Sequence, residues 1–587
     1  MKLSDFVIQR IYKAGVKHVF MLPGGGAMHL NDSLGKSKNV DFICNLHEQA
    51  SSIAAEAYSQ YTNNLGVCMV TTGPGSTNAI TGVASAWLDS IPMLIISGQV
   101  KTSDLSLKKN TRQIGFQEIN IVPMVKDITK YAKTINNSNS IKYHIDKAIW
   151  LAKQGRPGPS WIDIPLDIQA QEVNIKSLKK FTPPKTKALP SIKRKIDKFY
   201  KLLNDSKRPI ILVGNGVRLS KSEKELMKLI NYLKIPTLLT WKAADLIHEY
   251  HPYLIGRPGA VGQRAANISQ QNSDLFIMLG ARMDMGQTAY MHKYLAPKAK
   301  KVMIDIDKFE IKKMNTKIDL PIVSDSKLFI NQALSSRKDY SYSSRKKDWL
   351  ERCIKLKKKF PVILPEYFKY KDGVSIYALV EKLSDFSSNK DLFIPGSSGA
   401  CSEVTMQAIK IKKGVRIFNS EGLGAMGFGI SSAIGGCIAS NKRRTITIDG
   451  DGGFMMNTQE LETVRRLNLP IKFFILDNKG YGSIRATQTA YFNKRFYGSS
   501  KSGGLTLPEL KKIANAYKIK YFNIESSYHL EKITKDVLEY EGPVICRVKI
   551  SPNQVTAPRV MSRQTKNGSM ETAPMENMWP PIDLEEL

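Results

Sequence analysis

Short runs of apolar and β-branched residues recur along the chain, each followed by a stretch with helical spacing. The runs are VKHVFML, VDFICNL, LGVCMVTT and PMLIISG, then RPIILVG, DLFIMLG and KVMIDID, and finally DLFIPG, RTITIDG, IKFFILD and PVICRV. Strands that alternate with helices form parallel sheets with helices on both faces. The sequence therefore predicts an α/β fold of doubly wound parallel sheets, with ligands bound at the glycine-rich turns beyond the carboxyl ends of the strands.

Two segments with the composition of linkers divide the chain into blocks. Residues 179–195 combine prolines with like charges, and residues 335–349 are polar without an apolar period. A chain of 587 residues is also too long for a single core. We predict three domains, over residues 1–178, 190–335 and 365–550, followed by a C-terminal tail over 551–587. The first and third domains could be distant copies of one unit.

The net charge of +35 is spread along the whole chain in short groups of Lys and Arg. Without a basic tail, zinc-finger spacing or an RNA-binding sheet motif, this pattern favours a solvated surface; a nucleic-acid-binding protein is the alternative from another class. No apolar run is long enough to span a membrane, and the N-terminus lacks the apolar core of a signal peptide. Six scattered cysteines without a CxxC pair fit a reducing compartment, so we expect a cytoplasmic protein without a membrane or nucleic-acid partner.

The most informative motif lies in ITIDGDGGFMMNTQELETVRRLNLPIKFFILDNKGYGSI. One strand ends at Gly450-Asp451-Gly452, and the next ends at Asp477-Asn478. Carboxylate, amide and carbonyl oxygens suit octahedral Mg²⁺, and the glycines let the backbone approach a diphosphate closely. An ordinary strand–turn–helix unit explains GDG alone, whereas the pair of motifs at this distance is quite specific.

With this pair the sequence resembles the enzymes that depend on thiamine diphosphate (ThDP), whose signature is GDG followed later by NN. Asp477 replaces the first Asn of that signature, and Asn478 matches the second. The resemblance implies that Asp451, Asn478 and the carbonyl of Gly480 bind Mg²⁺, which anchors the cofactor's diphosphate. It implies further cofactor contacts in the same turns, at Gly450, Gly452, Gly453, Tyr481 and Gly482.

GLGAMG (422–427) also fits the GxGxxG pattern of dinucleotide-binding folds. That interpretation lacks an acidic residue at the end of a second strand, because the next strand leads straight into GDG. In ThDP enzymes the matching turn holds the aminopyrimidine, which implies a carbonyl acceptor at Gly424 and an apolar wedge at Met426. Core packing is the alternative for Met426 alone. The Gln-His of the family's diphosphate turn is replaced by Ala400-Cys401 in GSSGACSE; the resemblance still implies cofactor contacts at Gly399, Ala400 and Cys401.

Glu48 stands at a strand end in CNLHEQAS, where a glutamate is rarely buried without a partner. A first-turn carboxylate favoured by the helix dipole, or a surface charge, would explain it in isolation. Family members carry HEQ at this position, and this chain has HEQASSIAAEAYSQ. The resemblance therefore makes Glu48 the carboxylate that bonds the pyrimidine ring and favours the tautomer that removes the C2 proton of ThDP.

The resemblance narrows to the acetolactate synthase branch and covers residues 1 to about 550. TTGPGSTNAITGVASAWLDSIPMLIISGQV (71–100) carries most of it, and GFQE (115–118) matches the family's AFQE. Phe116 and Gln117 then line the reaction cavity. In this family the pyrimidine-side domain of one subunit meets the diphosphate-side domain of another, which implies a homodimer or homotetramer. The first domain's further cofactor contacts would be Pro23, Gly24, Thr72 and Asn78.

The central domain matches more loosely. Synthases of this branch bind FAD there, and GARMDMGQTA and MIDID match parts of their two FAD-binding stretches. Arg282 and Asp305 would contact the FAD diphosphate and adenosine, respectively, whereas structural ion pairs are the alternative for both.

The departures from the synthases lie where the acceptor substrate is expected. Ser483 and Thr487 replace a Met and a Trp, and His29 replaces a Pro beside Asn31. His29 is therefore a candidate catalytic residue, and Arg485 could hold a phosphate or carboxylate, with a surface salt bridge as its alternative. The Pro- and Met-rich tail is similar to that of relatives that transfer acetyl units to keto-sugars; it either folds over the active site or another subunit, or is disordered.

The resemblance implies ThDP- and Mg²⁺-dependent decarboxylation of a 2-ketoacid, pyruvate, and transfer of its acyl unit to a carbonyl acceptor. Acetolactate synthase-like chemistry is the first interpretation, and acetyl transfer to a nucleotide-linked keto-sugar is the alternative. A ThDP-binding relic without activity is a third, against which the presence of Glu48, Asp451 and Asn478 argues.

Overall fold

The computed structural model describes residues 1–106, 111–184, 191–397, 399–551, 554–565 and 567–583. Part of the first predicted linker (185–190) and part of the tail (552–553, 566 and 584–587) lie outside these ranges. The described residues form three six-stranded sheets that follow one another along the chain, and within each sheet all strands are parallel. The predicted fold class is confirmed. No helix in these ranges is both long and apolar enough to cross a membrane.

The first sheet has the strand order β2-β1-β3-β4-β6-β5. Its strands are β1 (His18–Met21), β2 (Asp41–Cys44), β3 (Gly66–Val70), β4 (Met93–Gln99), β5 (Tyr131–Thr134) and β6 (Pro159–Pro165). Its helices are α1 (Leu3–Lys13), α2 (Met28–Gly35), α3 (Glu48–Thr62), α4 (Pro74–Asn78), α5 (Ile80–Leu88), α6 (Ile121–Val125), α7 (Ile141–Lys153) and α8 (Leu166–Ala170). Every side chain of β3, β4 and β6 is buried, because helices cover both faces.

The second sheet has the order β12-β11-β10-β7-β8-β9. Its strands are β7 (Pro209–Val213), β8 (Thr237–Leu239), β9 (Leu254–Gly256), β10 (Leu275–Leu279), β11 (Lys300–Asp305) and β12 (Leu320–Val323). Its helices are α9 (Lys193–Asp205), α10 (Gly216–Leu219), α11 (Glu223–Leu233), α12 (Arg264–Gln271), α13 (Lys308–Lys312), α14 (Ser326–Ser335) and α15 (Ser344–Lys359). The second predicted linker, 335–349, therefore ends inside α15, which packs Trp349 and Cys353 into the core of this sheet.

The third sheet, in the order β14-β13-β15-β16-β18-β17, repeats the topology of the first. Its strands are β13 (Leu392–Phe393), β14 (Arg416–Ile417), β15 (Thr445–Gly450), β16 (Ile471–Asp477), β17 (Lys520–Ile524) and β18 (Val544–Lys549). Its helices are α16 (Ile376–Phe386), α17 (Ala400–Ala408), α18 (Phe428–Ala439), α19 (Asp451–Phe454), α20 (Leu461–Arg466), α21 (Gly482–Tyr491), α22 (Leu510–Ala516) and α23 (Leu530–Glu539). The shared strand order is what two copies of one unit would have.

The tail packs on the second sheet of the same chain rather than extending into solvent. It forms two antiparallel pairs, β19 (Arg559–Val560) with β22 (Met578–Trp579) and β20 (Ser562–Gln564) with β21 (Met570–Thr572). Met575 and Met578 are buried in the core of the second sheet, and Asn267 donates a hydrogen bond to the carbonyl of Met575 over 2.9 Å. Met575 and Met578 thus serve as core residues.

Helices α3 and α18 join the first and third sheets through backbone contact. A Cβ atom on Gly435 would lie only 2.0 Å from the carbonyl oxygen of Ala54, so the close approach requires glycine there. The small residues of α3 allow this approach. The helix that begins at Glu48 is therefore fixed against the third sheet along its length.

A buried polar cluster lies where the three sheets meet. Lys242 donates to Asp89 over 3.0 Å and to the carbonyl of Asn419 over 2.6 Å, and it also donates to Gln60. Glu56 accepts from Gln60 over 3.0 Å. Burial, and then Asp89, raise the pKa of the Glu56 carboxyl to about 8 despite Lys242. Glu56 is therefore mostly protonated at neutral pH.

The raised pKa of Glu56 gives a testable dependence of stability on pH. Between its unfolded pKa and about 8, the folded chain holds a proton that the unfolded chain releases, so this group's contribution to stability falls as pH rises. Glu56→Gln keeps the acceptor for Gln60 and removes the titration. We expect its unfolding temperature, relative to that of the wild type, to rise by roughly 2–4 °C between pH 5.5 and 8. Thermal unfolding followed by circular dichroism would measure this, and a difference that does not change with pH would contradict it.

Candidate active site

Glu48 is the first residue of α3, directly beyond β2. His47 caps the helix, because its Nδ1 accepts from the backbone N–H of Gln49 over 3.1 Å. The carboxyl group of Glu48 accepts from Nδ2 of Asn78 over 3.0 Å, and the residue is only 7% exposed. A Cβ atom on Gly75 would lie 3.5 Å from its other oxygen. Two residues predicted as cofactor contacts, Glu48 and Asn78, are thus hydrogen-bonded at one strand edge.

The turn after β3 packs against the segment that carries Phe116 and Gln117. The hydroxyl of Thr72 donates to Gln99 over 2.8 Å and to the carbonyl of Gln117 over 3.2 Å. Gly73 has φ +63°, and a Cβ atom on it would lie 2.5 Å from that same carbonyl oxygen, so only glycine fits. Phe116 is 87% exposed. The structure therefore places Phe116 and Gln117 beside the turn that ends at Asn78, with Phe116 uncovered.

A carboxylate that sequence reasoning missed holds this segment. Glu118 accepts hydrogen bonds from the backbone N–H groups of Ser106, Ile114 and Gly115, over 2.6, 2.9 and 3.3 Å. Burial alone would raise the pKa of Glu118, but these donors outweigh it and lower the pKa. The glutamate of GFQE was therefore the sequence feature that could have revealed this role, because a buried carboxylate next to Gln117 requires hydrogen-bond donors.

Pro23, Gly24 and His29 lie beyond β1, next to the same turn. A Cβ atom on Gly24 would lie 2.5 Å from Thr71, and Asn31 donates to the carbonyl of Gly24 over 3.3 Å. His29, the second residue of α2, is half-buried. Burial, followed by the charge of Lys2, lowers the pKa of His29, although Asp32 opposes this. A neutral imidazole is therefore expected at this edge at neutral pH.

Asp451 and the loop after β16 come together at the edge of the third sheet. The carboxyl group of Asp451 accepts from the N–H of Gly452 over 2.8 Å and from the N–H of Gly480 over 3.1 Å. Burial, and to a lesser degree Asp477, raise the pKa of Asp451 to about 6. Asn478 directly follows β16. The residues predicted to bind Mg²⁺ therefore lie on two adjacent turns that are hydrogen-bonded to each other.

Arg485 fixes the backbone of this loop. Its guanidinium donates to the carbonyl of Asn478 over 2.7 Å, to that of Ser499 over 2.9 Å and to that of Lys479 over 3.3 Å. It also lies 3.3 Å from the side-chain oxygen of Asn478. Arg485 therefore supports the Asn478–Gly480 loop, and its role toward the acceptor stays a prediction.

Asp477, where the family signature has its first Asn, forms two ion pairs. It pairs with Arg547 over 2.5 Å and with Lys479 over 3.0 Å. Burial would raise the pKa of Asp477, but these two cations lower it. The negative charge that this departure from the family signature introduces is thus neutralised by ion pairs within the third domain.

The remaining predicted turns of the third sheet meet at the same edge. The Ser397 hydroxyl donates to the carbonyl of Ala425 over 2.5 Å, which joins the turn of Gly399, Ala400 and Cys401 to that of Gly424 and Met426. A Cβ atom on Gly399 would lie 2.4 Å from the Ser483 hydroxyl, and one on Gly452 would lie 2.4 Å from the ring of Tyr481 and 3.7 Å from Met426. A Cβ atom on Gly450 would meet nothing within 4 Å. These contacts link the four loops to one another, and the space beside Gly450 is open.

The two predicted sets lie at different sheet edges of the chain, and no hydrogen bond among the described residues joins Glu48 to the set around Asp451. The neighbouring Gln49 does reach the third sheet, because its side-chain oxygen accepts from Asn457 over 3.1 Å. Glu460 accepts from the side chain of Asn45 over 2.8 Å and from the N–H of Leu46 over 2.7 Å. These contacts fix the strand end that carries Glu48 on the third sheet, and they were not predicted because their partners lie more than 400 positions apart.

Arg282 and Asp305 lie on the wall of a cavity at the carboxyl edge of the second sheet. The cavity encloses about 880 Å³, including its open mouth, and its walls come from all three sheets. Its lining cations are already paired: Arg282 with Asp284 over 3.2 Å, Lys242 with Asp89 and Arg156 with Glu310 over 2.8 Å. Burial raises the pKa of Asp305 to about 6.

Among the described residues, no group of three or more His, Cys, Asp or Glu side chains is arranged to hold a metal ion. A metal at the third sheet would therefore depend on amide and carbonyl oxygens together with Asp451. Such a mixed set of hard oxygens is the kind that Mg²⁺ accepts when a phosphate supplies further ligands. The residues present fit Mg²⁺ bound with a diphosphate better than a metal bound by protein side chains alone.

Comparison with known proteins places all three sheets in one family. Residues 1–124 match the N-terminal TPP binding domain of thiamine pyrophosphate enzymes, residues 196–333 their central domain and residues 397–548 their C-terminal TPP binding domain. The chain is 33% identical to the acetolactate synthase large subunit of Cyanidium caldarium over 563 residues, which covers 93% of each chain. It is 34% identical over 568 residues to the probable acetolactate synthase large subunit of Methanococcus aeolicus, covering 94% of this chain and 92% of that one. With the acetolactate synthase large subunit of Lactococcus lactis subsp. lactis it shares 31% identity over 563 residues, covering 95% of this chain and 94% of that one.

Proposed function

Because the chain belongs to the thiamine pyrophosphate enzyme family, we propose that it is a ThDP- and Mg²⁺-dependent carboligase. It would decarboxylate pyruvate and transfer the acyl unit to a carbonyl acceptor, as the names of its acetolactate synthase relatives suggest. The observation that carries the proposal is the hydrogen bond from Gly480 to Asp451, which brings GDG and the Asn478 loop together.

In this proposal the third sheet holds the metal and the diphosphate. Asp451, the side-chain oxygen of Asn478 and the carbonyl of Gly480 would bind Mg²⁺, which suits this set of hard oxygens. The open space at Gly450 leaves room for the diphosphate next to the backbone. When bound, ThDP supplies the electron sink that stabilises a carbanion after loss of CO₂. Arg485 would keep the metal-binding loop in place.

Glu48 is the group that we propose to exchange a proton with the pyrimidine ring. Its burial and its hydrogen bond from Asn78 hold the carboxyl group in one orientation. A carboxyl group in an apolar setting forms strong hydrogen bonds and shares protons readily. Phe116, Gln117 and His29 would line the reaction cavity on the side of Glu48. There His29 could orient the acceptor as a neutral imidazole.

We propose a homo-oligomer, because the two sets of site residues lie at separate edges of one chain. A second subunit would then supply the partner edge, as in the family that the sequence resembles. Phe116 and Leu46 are strongly exposed beside Glu48, and such side chains are typical of covered interfaces. Mixing Glu48→Gln and Asp451→Asn subunits tests this. In a 1:1 mixture half of the dimers are mixed, and a shared site leaves one of the two sites intact in each of them. Recovery of about a quarter of wild-type activity therefore supports a shared site. No recovery contradicts it.

The acceptor is the part of the proposal with a second candidate. The relatives' names suggest acetolactate formation, in which the acceptor is a second 2-ketoacid. Polar side chains at the site edges of the first and third sheets favour a nucleotide-linked keto-sugar instead. His29 and Asn31 lie beyond β1, and Ser483 lies against Gly399 where the synthases carry a Met. A polar acceptor with several hydroxyl groups would suit these side chains better than the apolar chain of a 2-ketoacid.

Product analysis separates the candidates. The protein, with ThDP and Mg²⁺, is incubated with ¹³C-labelled pyruvate and either 2-ketoacids or nucleotide-linked keto-sugars, and products are identified by mass. Labelled acetolactate at a high rate would exclude the keto-sugar candidate, and an acetyl-extended sugar would select it. Absence of any ThDP-dependent product with pyruvate would contradict the proposed donor.

The proposal also places the enzyme in the cytoplasm without nucleic-acid or membrane partners. Its substrates would be small metabolites, and its positive charge would be a property of the solvated surface. Retention of the protein on DNA in a salt-sensitive manner, together with no ThDP-dependent activity, would favour the nucleic-acid alternative.

We further propose FAD as the ligand of the cavity on the second sheet. The cavity opens at the carboxyl ends of β7, β10 and β11, where ligands bind in such sheets. This position at the carboxyl edge is what supports a bound dinucleotide. Since the lining cations are already paired, a diphosphate would compete with Asp284 for Arg282.

The flavin proposal predicts that the purified protein carries the visible absorbance of bound flavin, or quenches flavin fluorescence on titration with FAD. Arg282→Met should weaken FAD binding by about tenfold. Arg208→Met is the matched control, because Arg208 lies at the opposite, amino-terminal edge of the same sheet. A protein without flavin that also fails to bind added FAD would contradict the assignment.

A further inference from the structure

The carboxyl group of Asp449 is enclosed by the backbone of three separate turns. Asp449 lies near the end of β15 and is 4% exposed. A Cβ atom on Gly429 would lie 2.2 Å from its Oδ2, and Cβ atoms on Gly396 and Gly453 would lie 2.4 and 2.9 Å from its Oδ1. Each of these positions therefore accepts only glycine while Asp449 keeps this orientation. The carboxyl group contacts bare backbone on three sides.

The three turns are the ones assigned to the cofactor in the third sheet. Gly396 leads into the turn of Gly399 to Cys401, Gly429 follows GLGAMG, and Gly453 belongs to GDGG. The N–H of Gly450 donates to Oδ1 of Asp449 over 2.8 Å, and the thiol of Cys401 reaches the same oxygen over 3.9 Å. One side chain thus contacts the segments that would surround both the diphosphate and the aminopyrimidine.

We propose that Asp449 is a positioning residue that sets the relative placement of these three turns and, through them, the affinity for ThDP. This inference rests on the proposed function. The three glycines that face Asp449 have no side chains to fill the space around a shortened residue, so the backbone would have to shift. Shifts of less than 1 Å at a preorganised site are enough to weaken binding strongly. Asp449 itself would not touch the cofactor.

A structural role in the sheet alone is the competing explanation, and Thr447 provides the comparison. Thr447 is fully buried on the same face of β15, two residues earlier, and packs near Gly429. Thr447 is not among the nearest neighbours of Gly396 or Gly453. If β15 only needs a filled core, truncation at either position should destabilise the protein without a specific effect on ThDP.

The test measures the Kd for ThDP at saturating Mg²⁺ by quenching of intrinsic fluorescence, together with the unfolding temperature of the cofactor-free protein. Asp449→Ala is expected to weaken ThDP binding by about 30-fold, Asp449→Asn by less than about threefold because it keeps size and acceptor, and Thr447→Ala by less than about twofold. Equal binding by Asp449→Ala and wild type would overturn the inference and leave the proposed function intact. A wild type that does not bind ThDP would instead overturn the proposed function.

Gly429→Ala is a second test, and its first measurement, in the wild-type background, does not require Asp449→Ala to fold. Its methyl group would meet Oδ2 of Asp449, so ThDP binding should weaken by about tenfold. In the Asp449→Ala background the methyl group has room, so the same substitution should cost less than about threefold. Normal ThDP binding by Gly429→Ala, or equal losses in the two backgrounds, would overturn the positioning role.

Discussion

Replacing Glu48 with glutamine is expected to reduce ThDP-dependent turnover of pyruvate by about 10²–10⁴-fold while leaving the fold intact. Glutamine keeps the shape and can still accept from Asn78, but it cannot exchange a proton with the pyrimidine ring. General acid–base groups contribute losses of this size when they are removed. The direct measurement is hydrogen–deuterium exchange at C2 of bound ThDP, followed by NMR, which should slow by a comparable factor.

Glu56→Gln is the matched control for this variant. Glu56 lies two turns further along the same helix, is fully buried and is mostly protonated at neutral pH because its pKa is raised to about 8. The same chemical change there should alter turnover by less than about threefold. Unaltered C2 exchange in Glu48→Gln would show that another group activates the cofactor, and a similar loss in both variants would point to a general effect on α3.

Replacing Asp451 with asparagine is expected to weaken Mg²⁺-dependent ThDP binding by at least about 100-fold. The N–H groups of Gly452 and Gly480 donate to different oxygens of Asp451, so the variant keeps an acceptor for only one of them, and it removes the only carboxylate of the proposed metal-binding set. Titration of ThDP at several Mg²⁺ concentrations would measure the change. The loss should be partly recovered at high Mg²⁺, because a neutral ligand lowers metal affinity first.

Asp477→Asn is the control for the charge at this strand end, because it changes the chain to the family's NN. Arg547 retains contacts to Asn523 and Glu525, so the ion pair with Asp477 is replaceable. We expect ThDP affinity within about threefold of wild type. If Asp477→Asn lost as much affinity as Asp451→Asn, the metal-binding set would have to include Asp477.

Much of the fold could be predicted from the sequence, because its strands are continuous apolar runs buried on both faces. All eleven runs that we identified contain strands, and the parallel arrangement followed from the helices between them. Short or exposed edge strands were missed, such as β9, β14 and β5, and so was the buried interior strand β6, whose apolar run is interrupted by Ser and Asp. Edge strands like these carry too few apolar residues to stand out from the adjoining loops.

The candidate site was predictable where a residue's role is local and was not where it depends on distant partners. GDG and the strand end at Asn478 are motifs with fixed spacing, so the meeting of Asp451 with Gly480 was expected. The use of Arg485 by its own loop was not, because sequence alone does not show which carbonyl groups lie within reach. Asp449 was also missed, since its significance lies in three glycines that are far apart in the chain.

The central claim, a ThDP-dependent enzyme that takes its acyl unit from pyruvate, is tested most directly by CO₂ release. The protein is stripped of cofactors by a chelator and dialysis, and release of labelled CO₂ from carboxyl-labelled pyruvate is followed with a carbonyl acceptor present. We predict that release returns only when ThDP and Mg²⁺ are both restored, and that Glu48→Gln abolishes it. No release with both cofactors present, or equal release without ThDP, would contradict the account.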